Sequence, residues 1–164
     1  MASSITLEKF VKVILLCAIA IVGGFVIYQI ITNRPPAYIS FNLLNEDGQL
    51  SNYPNNVTVG GNLSLRYYIG NNDRSISNFS VRVYLVNATN NVSSTQGVYN
   101  ATLLNFYNHT IPFNGTYTSE KQNFTINEEG FNFRLCFELW VLNETRWHYL
   151  EYSVRYIWFN STDS

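Results

Sequence analysis

Two hydrophobic patterns divide this chain. Across residues 11–31 apolar residues follow one another with no period, and the only charge, Lys12, sits near enough to one end to snorkel to lipid headgroups. A helix of this length covers about 30 Å, the thickness of a bilayer's hydrocarbon core. A buried helix of a soluble domain would be shorter and would carry a polar stripe. A cleaved signal sequence would end in small residues, whereas Tyr28, Gln29, Ile30 and Ile31 lead here into Asn33, Arg34, Pro35 and Pro36. The segment is therefore predicted to be a retained transmembrane helix.

From residue 37 onward the period is two. Ile39, Phe41 and Leu43 share one face of residues 38–44, as do Leu63, Leu65, Tyr67 and Ile69 over residues 62–69 and Phe79, Val81, Val83 and Leu85 over residues 77–87. The longest row is Phe131, Phe133, Leu135, Phe137, Leu139 and Val141 over residues 131–142. Leu150, Tyr152, Val154, Tyr156 and Trp158 form the next, over residues 149–159. Residues 98–107 and 116–126 alternate more weakly and are separated by Pro112 and Gly115. Turn-forming groups punctuate the runs at Glu46-Asp47-Gly48, Asn71-Asn72-Asp73, Asn127-Glu128-Glu129-Gly130 and Asn143-Glu144. About seven strands, each with one polar face, predict an antiparallel two-sheet β-sandwich of immunoglobulin-like build. Cys17 lies in the apolar segment and Cys136 beyond it, so no disulfide is expected and the aromatic residues are expected to supply the core.

This divides the chain into a cytoplasmic tail at residues 1–10, the helix at 11–31, a Pro-rich spacer at 32–36 and an extracytoplasmic domain at 37–164. Ser3, Ser4 and Thr6 are candidate caps for a helix starting near Leu7. Lys9 and Lys12 precede the helix and Arg34 follows it, so the positive-inside rule leaves the N-terminus in the cytoplasm and the domain outside the cell membrane. Asn-x-Ser/Thr acceptor patterns agree. They stand at Asn56, Asn62, Asn78, Asn87, Asn91, Asn100, Asn108, Asn114, Asn123, Asn143 and Asn160, eleven in all and all beyond the helix. The 22 Asn and 26 Ser plus Thr of the chain would give ~3 to 4 by chance. The excess predicts a glycoprotein.

Catalytic chemistry is thinly represented. His109 and His148 stand alone, outside any spacing that places two ligands on one metal, and no cofactor is expected. Glu46-Asp47 and Glu128-Glu129 lie beside glycines in predicted turns, where acidic groups accept backbone N–H donors. No Gly-x-Ser-x-Gly elbow or phosphate loop occurs. Charged residues make up 13% of the chain with a net charge of -1, which argues against nucleic acid as a partner. A non-enzymatic protein is expected.

A resemblance enters with the runs Phe41-Asn42-Leu43-Leu44-Asn45-Glu46-Asp47-Gly48, Asn52-Tyr53-Pro54-Asn55-Asn56-Val57-Thr58-Val59-Gly60, Tyr68-Ile69-Gly70-Asn71-Asn72 and Phe79-Ser80-Val81-Arg82-Val83. These resemble an uncharacterised archaeal family of membrane-anchored extracellular domains of unknown function, which implies an antiparallel sandwich and no activity. Members of that family often carry several membrane helices where this chain has one. In architecture alone the chain is similar to the stator protein of the crenarchaeal archaellum, whose family dimerises and binds the surface layer.

The domain's surface then has to carry its role. On a strand the Asn of a sequon and the Ser or Thr two residues later share a face, so Asn62, Asn78, Asn100 and Asn123 mark faces open to solvent. Between residues 127 and 159 the only sequon is at a turn, Asn143. That leaves a sugar-free outer face with Arg134, Cys136, Glu138 and Trp140 on one strand and Tyr149, Glu151, Ser153 and Arg155 on the next, continued by Tyr84 and Val86. Tyr84, Val86, Arg134, Glu138, Trp140 and Arg155 are the candidate contact for a homodimer or an envelope partner. The competing reading is ordinary cross-strand pairing, with Trp140 covering its own sheet. The expected function is a membrane-anchored structural or anchoring module whose partner, by resemblance and topology, is the surface layer or a filament held in it. A carbohydrate- or solute-binding module is the alternative, with Trp140, Trp147 and Trp158 available to stack on sugars. A filament subunit is the third, and the N-terminus has no obvious pilin processing site.

Overall fold

The computed structural model describes residues 2–32, 36–87, 89 and 91–163, with side chains from Glu8 onward. The spacer residues Asn33, Arg34 and Pro35, and with Arg34 one of the charges used for orientation, lie outside the described residues. The chain forms two units, residues 1–36 and 37–164.

In the first unit, helix α1 runs Ala2–Thr32. It starts five residues before the expected Leu7, and the predicted non-helical tail is instead its first turns. No Pro or Gly interrupts residues 2–10, and Glu8 pairs with Lys12 at 2.6 Å one turn on, which supports an exposed helix. The most apolar 18-residue window of Glu8–Thr32 has a mean hydropathy of 2.7 and buries nothing against protein, so the helix is long and apolar enough to cross a membrane.

The second unit holds twelve strands and, among the described residues, no helix. They are Ile39–Asn45 (β1), Asn56–Thr58 (β2), Asn62–Asn71 (β3), Asn78–Val86 (β4), Val92–Ser93 (β5), Gly97–Val98 (β6), Thr102–Thr110 (β7), Thr116–Thr118 (β8), Gln122–Thr125 (β9), Gly130–Asn143 (β10), Arg146–Tyr149 (β11) and Arg155–Thr162 (β12). One sheet centres on β3, with β1 along one side and β8 and β9 sharing the other. The larger sheet runs β2-β12-β10-β4-β7, and β11 also pairs β10. All pairings are antiparallel except β2 with β12, which is parallel. β5 and β6 form a separate two-stranded ribbon.

Alternation explains how the sheets meet. Leu63, Leu65, Tyr67 and Ile69 of β3 and Phe79, Val81, Val83 and Leu85 of β4 turn into one core with Phe133, Leu135, Phe137, Leu139 and Val141 of β10. Tyr67 and Phe124 of the first sheet meet Phe137 of the second at 6.3 and 5.5 Å between ring centroids, the latter edge to face. The chain is thus a two-sheet sandwich, as its period-two pattern predicts. Both cysteines are free thiols, and burial pushes that of Cys136 up to about 12.

Two departures have local causes. Phe131 is exposed rather than inward, because the register slips between Gly130 and Phe133 and Asn132 takes a left-handed φ of 59°. The run at residues 149–159 is two strands, β11 and β12, broken by a turn in which Tyr152 has φ 62°. That break flips the expected row. Ile157 and Phe159 face the core, while Tyr156 and Trp158 face out. The turn at residues 71–73 is organised by Asn71, whose buried amide donates to the carbonyls of Ile76 and Ile111 and whose Oδ1 accepts the Asp73 N–H.

Candidate functional site

The sheet containing β10 turns its outer face away from the core, and the predicted contact surface lies there. The connection from β4 to β7 folds back over part of it. Glu138 Oε1 accepts the backbone N–H of Val98, Oε2 accepts Trp140 Nε1–H at 2.8 Å, and Tyr149 O–H donates to the carbonyl of Ser94 at 3.0 Å. A Cβ at Gly97 would collide with the Glu138 carboxylate, and Gly97 itself has φ 82°, so the ribbon can lie this close only with glycine at that position. Two of the predicted contact residues are unavailable, Glu138 because the ribbon lies on it. Glu138 is 1% exposed and Val86 0%, and neighbouring Cys136 and Ser153 are buried as well. For Glu138 the reason is long-range: strand alternation sets which way a side chain points and is silent about a distant loop that covers it.

The other four residues reach the surface in part. Tyr84, Arg134, Trp140 and Arg155 are each half-buried. Arg82 lies over the Trp140 ring at 3.7 Å and Tyr149 meets it edge-on at 6.1 Å, so Trp140 is held by its own sheet, as the cross-strand reading had it. Burial, and next the Glu138 carboxylate, raise the phenols of Tyr84 and Tyr149 above their ordinary value.

The open part of the face is at β12. Tyr156 and Trp158, 45% and 51% exposed, stand edge to face at 6.0 Å, and Arg134 lies over Trp158 at 4.9 Å. Beside them Asn55, Asn132, Trp158, Phe159 and Asn160 line a cleft of about 160 Å³. Both aromatics were assigned inward from sequence. The sequon at Asn160 held the missing signal, because residues 156, 158 and 160 share a strand face and the sequon marks that face as outward.

The sequon asparagines are sorted by exposure. Nine are exposed and two, Asn78 and Asn160, are half-buried, whereas the fully buried asparagines, Asn45 and Asn71, lie outside the acceptor pattern. Six of the eleven meet across strands. The β3 and β9 sequons oppose each other so that Thr125 donates to Asn62 Oδ1 and Ser64 to Asn123 Oδ1, both at 2.7 Å. The β4 and β7 sequons do likewise, with Thr110 donating to Asn78 Oδ1 at 2.9 Å. Asn56 and Asn160 lie side by side in the parallel pair. At Asn62, Asn123 and Asn78 the carbonyl oxygen is engaged and Nδ2, the atom that would carry sugar, makes none of these bonds. Asn100 sits in the turn before β7, with φ 53°, and not on a strand.

The remaining polar groups are structural. His109 is half-buried between the sheets, its Nε2 2.7 Å from the Tyr67 hydroxyl and its ring 4.1 Å from that of Tyr117. His148 is exposed on β11. The Glu46-Asp47 turn is tied by Asn45, whose Oδ1 accepts the N–H groups of Asp47 and Gln49, and by the Lys121–Glu46 ion pair at 2.9 Å. Among the described residues no group of three His, Cys, Asp or Glu could hold a metal ion.

A family model described as a domain of unknown function, DUF1616, matches residues 33–155. The chain belongs to that family. The resemblance to an uncharacterised domain family thus holds, and the match runs past the first half of the ectodomain, where the quoted runs lie. No curated protein matches the chain. Among solved structures, this DUF1616 chain is similar to a β-glucosidase from Listeria innocua in complex with glucose (13% identity, TM-score 0.46, 79% of this chain and 16% of the other). It is also similar to the CARDB domain of a Pyrococcus furiosus protein in complex with di-metal ions (15%, 0.45, 76% and 88%). A third is the C-terminal domain of wzt (10%, 0.46, 80% and 81%). The chain spans about a sixth of the length of the glucosidase.

Two outcomes are expected. Gly97→Ala should lift the ribbon from Glu138, raising amide exchange at Val98 at least ten-fold while the amides of Leu65 and Leu135 stay protected. Burial holds the His109 imidazole below its ordinary value of 6.5, so below that pH the unfolded chain takes up a proton before the folded chain does. Denaturant titrations should therefore show no loss from this group above about pH 6.5 and a growing loss as pH falls to about 5. The Tyr67 phenol that faces it is raised by its own burial, and His109→Gln should remove that part of the slope.

Proposed function

We propose that this DUF1616 protein is a non-enzymatic, single-pass envelope component. In this reading residues 11–31 sit in the lipid bilayer, the N-terminus is cytoplasmic, and a glycosylated sandwich acts outside as a structural or anchoring module. The observation that carries the glycoprotein part is the sorting of asparagines: every sequon Asn reaches solvent, and the two sealed in the fold are not sequons. Glycosylation is transfer of a glycosyl group from an activated phosphate-linked donor. Sugar C1 bonds to Asn Nδ2, the C1–O bond to phosphate breaks, and Nδ2 gives up one proton. The surface layer, or a filament such as the archaellum held within it, is the partner class suggested by the resemblances and this topology.

The protein contact is redrawn around what is open. With Glu138 beneath the connection and Val86 buried, it comprises Tyr152 and Tyr156 with Arg134 and Arg155. This is an aromatic and cationic surface of the kind enriched at interfaces. A carbohydrate-binding role is the second reading, favoured by exposed Trp158 beside its cleft.

Protease added to intact cells should digest residues 37–164 and leave the helix in the membrane pellet, and glycopeptide mass spectrometry should find sugar on exposed sequons. A protected domain would remove the topology, and eleven bare asparagines would remove the glycoprotein reading. Tyr156→Asp should halve the mass by light scattering or abolish co-purification of an envelope partner. Neither change would remove the contact.

A further inference from the structure

An indole whose ring face is held open to solvent offers a flat apolar surface on which a ligand can stack. Trp158 is more than half exposed, yet it is fixed in place: Arg134 lies over its ring at 4.9 Å and Tyr156 meets it edge-on at 6.0 Å. Two residues on along the same strand face stands Asn160, the acceptor of an Asn-Ser-Thr sequon. Its side chain is oriented as well. The slip of β10 gives Asn132 a left-handed backbone, and the Asn132 N–H donates to Asn160 Oδ1 at 3.0 Å. With the carbonyl oxygen pinned on that side, Nδ2 is the end of the amide left to carry a substituent. The cleft between Asn55, Asn132, Trp158 and Asn160 measures about 160 Å³, space for roughly five waters at about 30 Å³ each, which is the scale of one pyranose ring.

We infer that the first sugar on Asn160 packs onto Trp158 in this cleft, so that the exposed indole is the seat of the chain's own glycan. This rests on the glycoprotein reading above and adds to it a named contact. A pyranose presents axial C–H bonds on one face and hydroxyls around its rim. The C–H face suits the electron-rich indole, and the rim suits the amides of Asn55 and Asn132. The occupant is covalently tethered two residues away, so the contact needs no diffusing ligand. The same aromatic-to-acceptor spacing recurs at the far edge of the sheet, where Phe106, 57% exposed, precedes the exposed acceptor Asn108 by two residues on β7.

The test uses full-length protein purified in detergent from a glycosylating host. Thr162→Ala removes the sequon and leaves Asn160 in place. In the presence of Trp158 this loss of sugar should lower the thermal midpoint by about 2–4 °C, and in a Trp158→Ala background it should change the midpoint by less than about 1 °C. On the unmutated glycoprotein, ring protons of the Asn160-linked sugar should show upfield shifts from the indole, a readout that does not depend on any variant folding. Sugar on Asn160 with equal midpoint changes in both backgrounds and unshifted ring protons overturns the packing and leaves the glycoprotein reading standing. Sugar on other sequons with none on Asn160 does the same. Eleven bare asparagines overturn both.

Discussion

The contact between two sheets across a single layer of apolar side chains holds this domain together. Tyr67, Phe124 and Phe137 meet at its centre, and with both thiols free no covalent link shares the load. A domain of this size must win its stability from area removed from water, at ~25 cal/mol per Å². That explains why the inner rows of β3, β4 and β10 are almost uninterruptedly Leu, Ile, Val and Phe, and why the aromatic share of the chain is 16%. Truncation at the centre, as at Phe137, would cost about 3 to 5 kcal/mol, a large part of what such a fold has in hand.

Two of the polar groups inside the fold do work that an apolar residue could not do. Asn71 closes the turn after β3 and reaches the carbonyl that ends β7, so one amide ties two connections together. Glu138 is the more costly case, a carboxylate under a ribbon, and its two oxygens accept from the Val98 amide and the Trp140 indole. Those bonds offset the loss of water around it. The result is a roof over part of the outer face, which separates a closed region near Trp140 from an open one near Trp158.

Much of this was legible in the chain. The helix, the two-sheet architecture and the inward rows of β1, β3, β4 and β10 follow from periodicity, because period two is set by backbone geometry and survives any tertiary context. The failures share a different origin. Phe131 was lost to a bulge, Tyr156 and Trp158 to a strand break at Tyr152, and Glu138 to a connection that returns over it. Bulges and breaks shift the phase by one residue and turn every later side chain over. The pairing of sequons across strands was equally out of reach, since register between β3 and β9 or β4 and β7 is a property of the assembled sheet.

Cys136 shows what a fold without covalent links implies for its handling. Its thiol sits on the outer side of β10, wholly shielded and with its acidity suppressed by burial, so almost none of it is the reactive thiolate at neutral pH. An alkylating reagent would meet that sulfur only when the side chains packed over it move aside or the whole sandwich comes apart. The residue therefore keeps a chemical record of each time the sealed face has been opened.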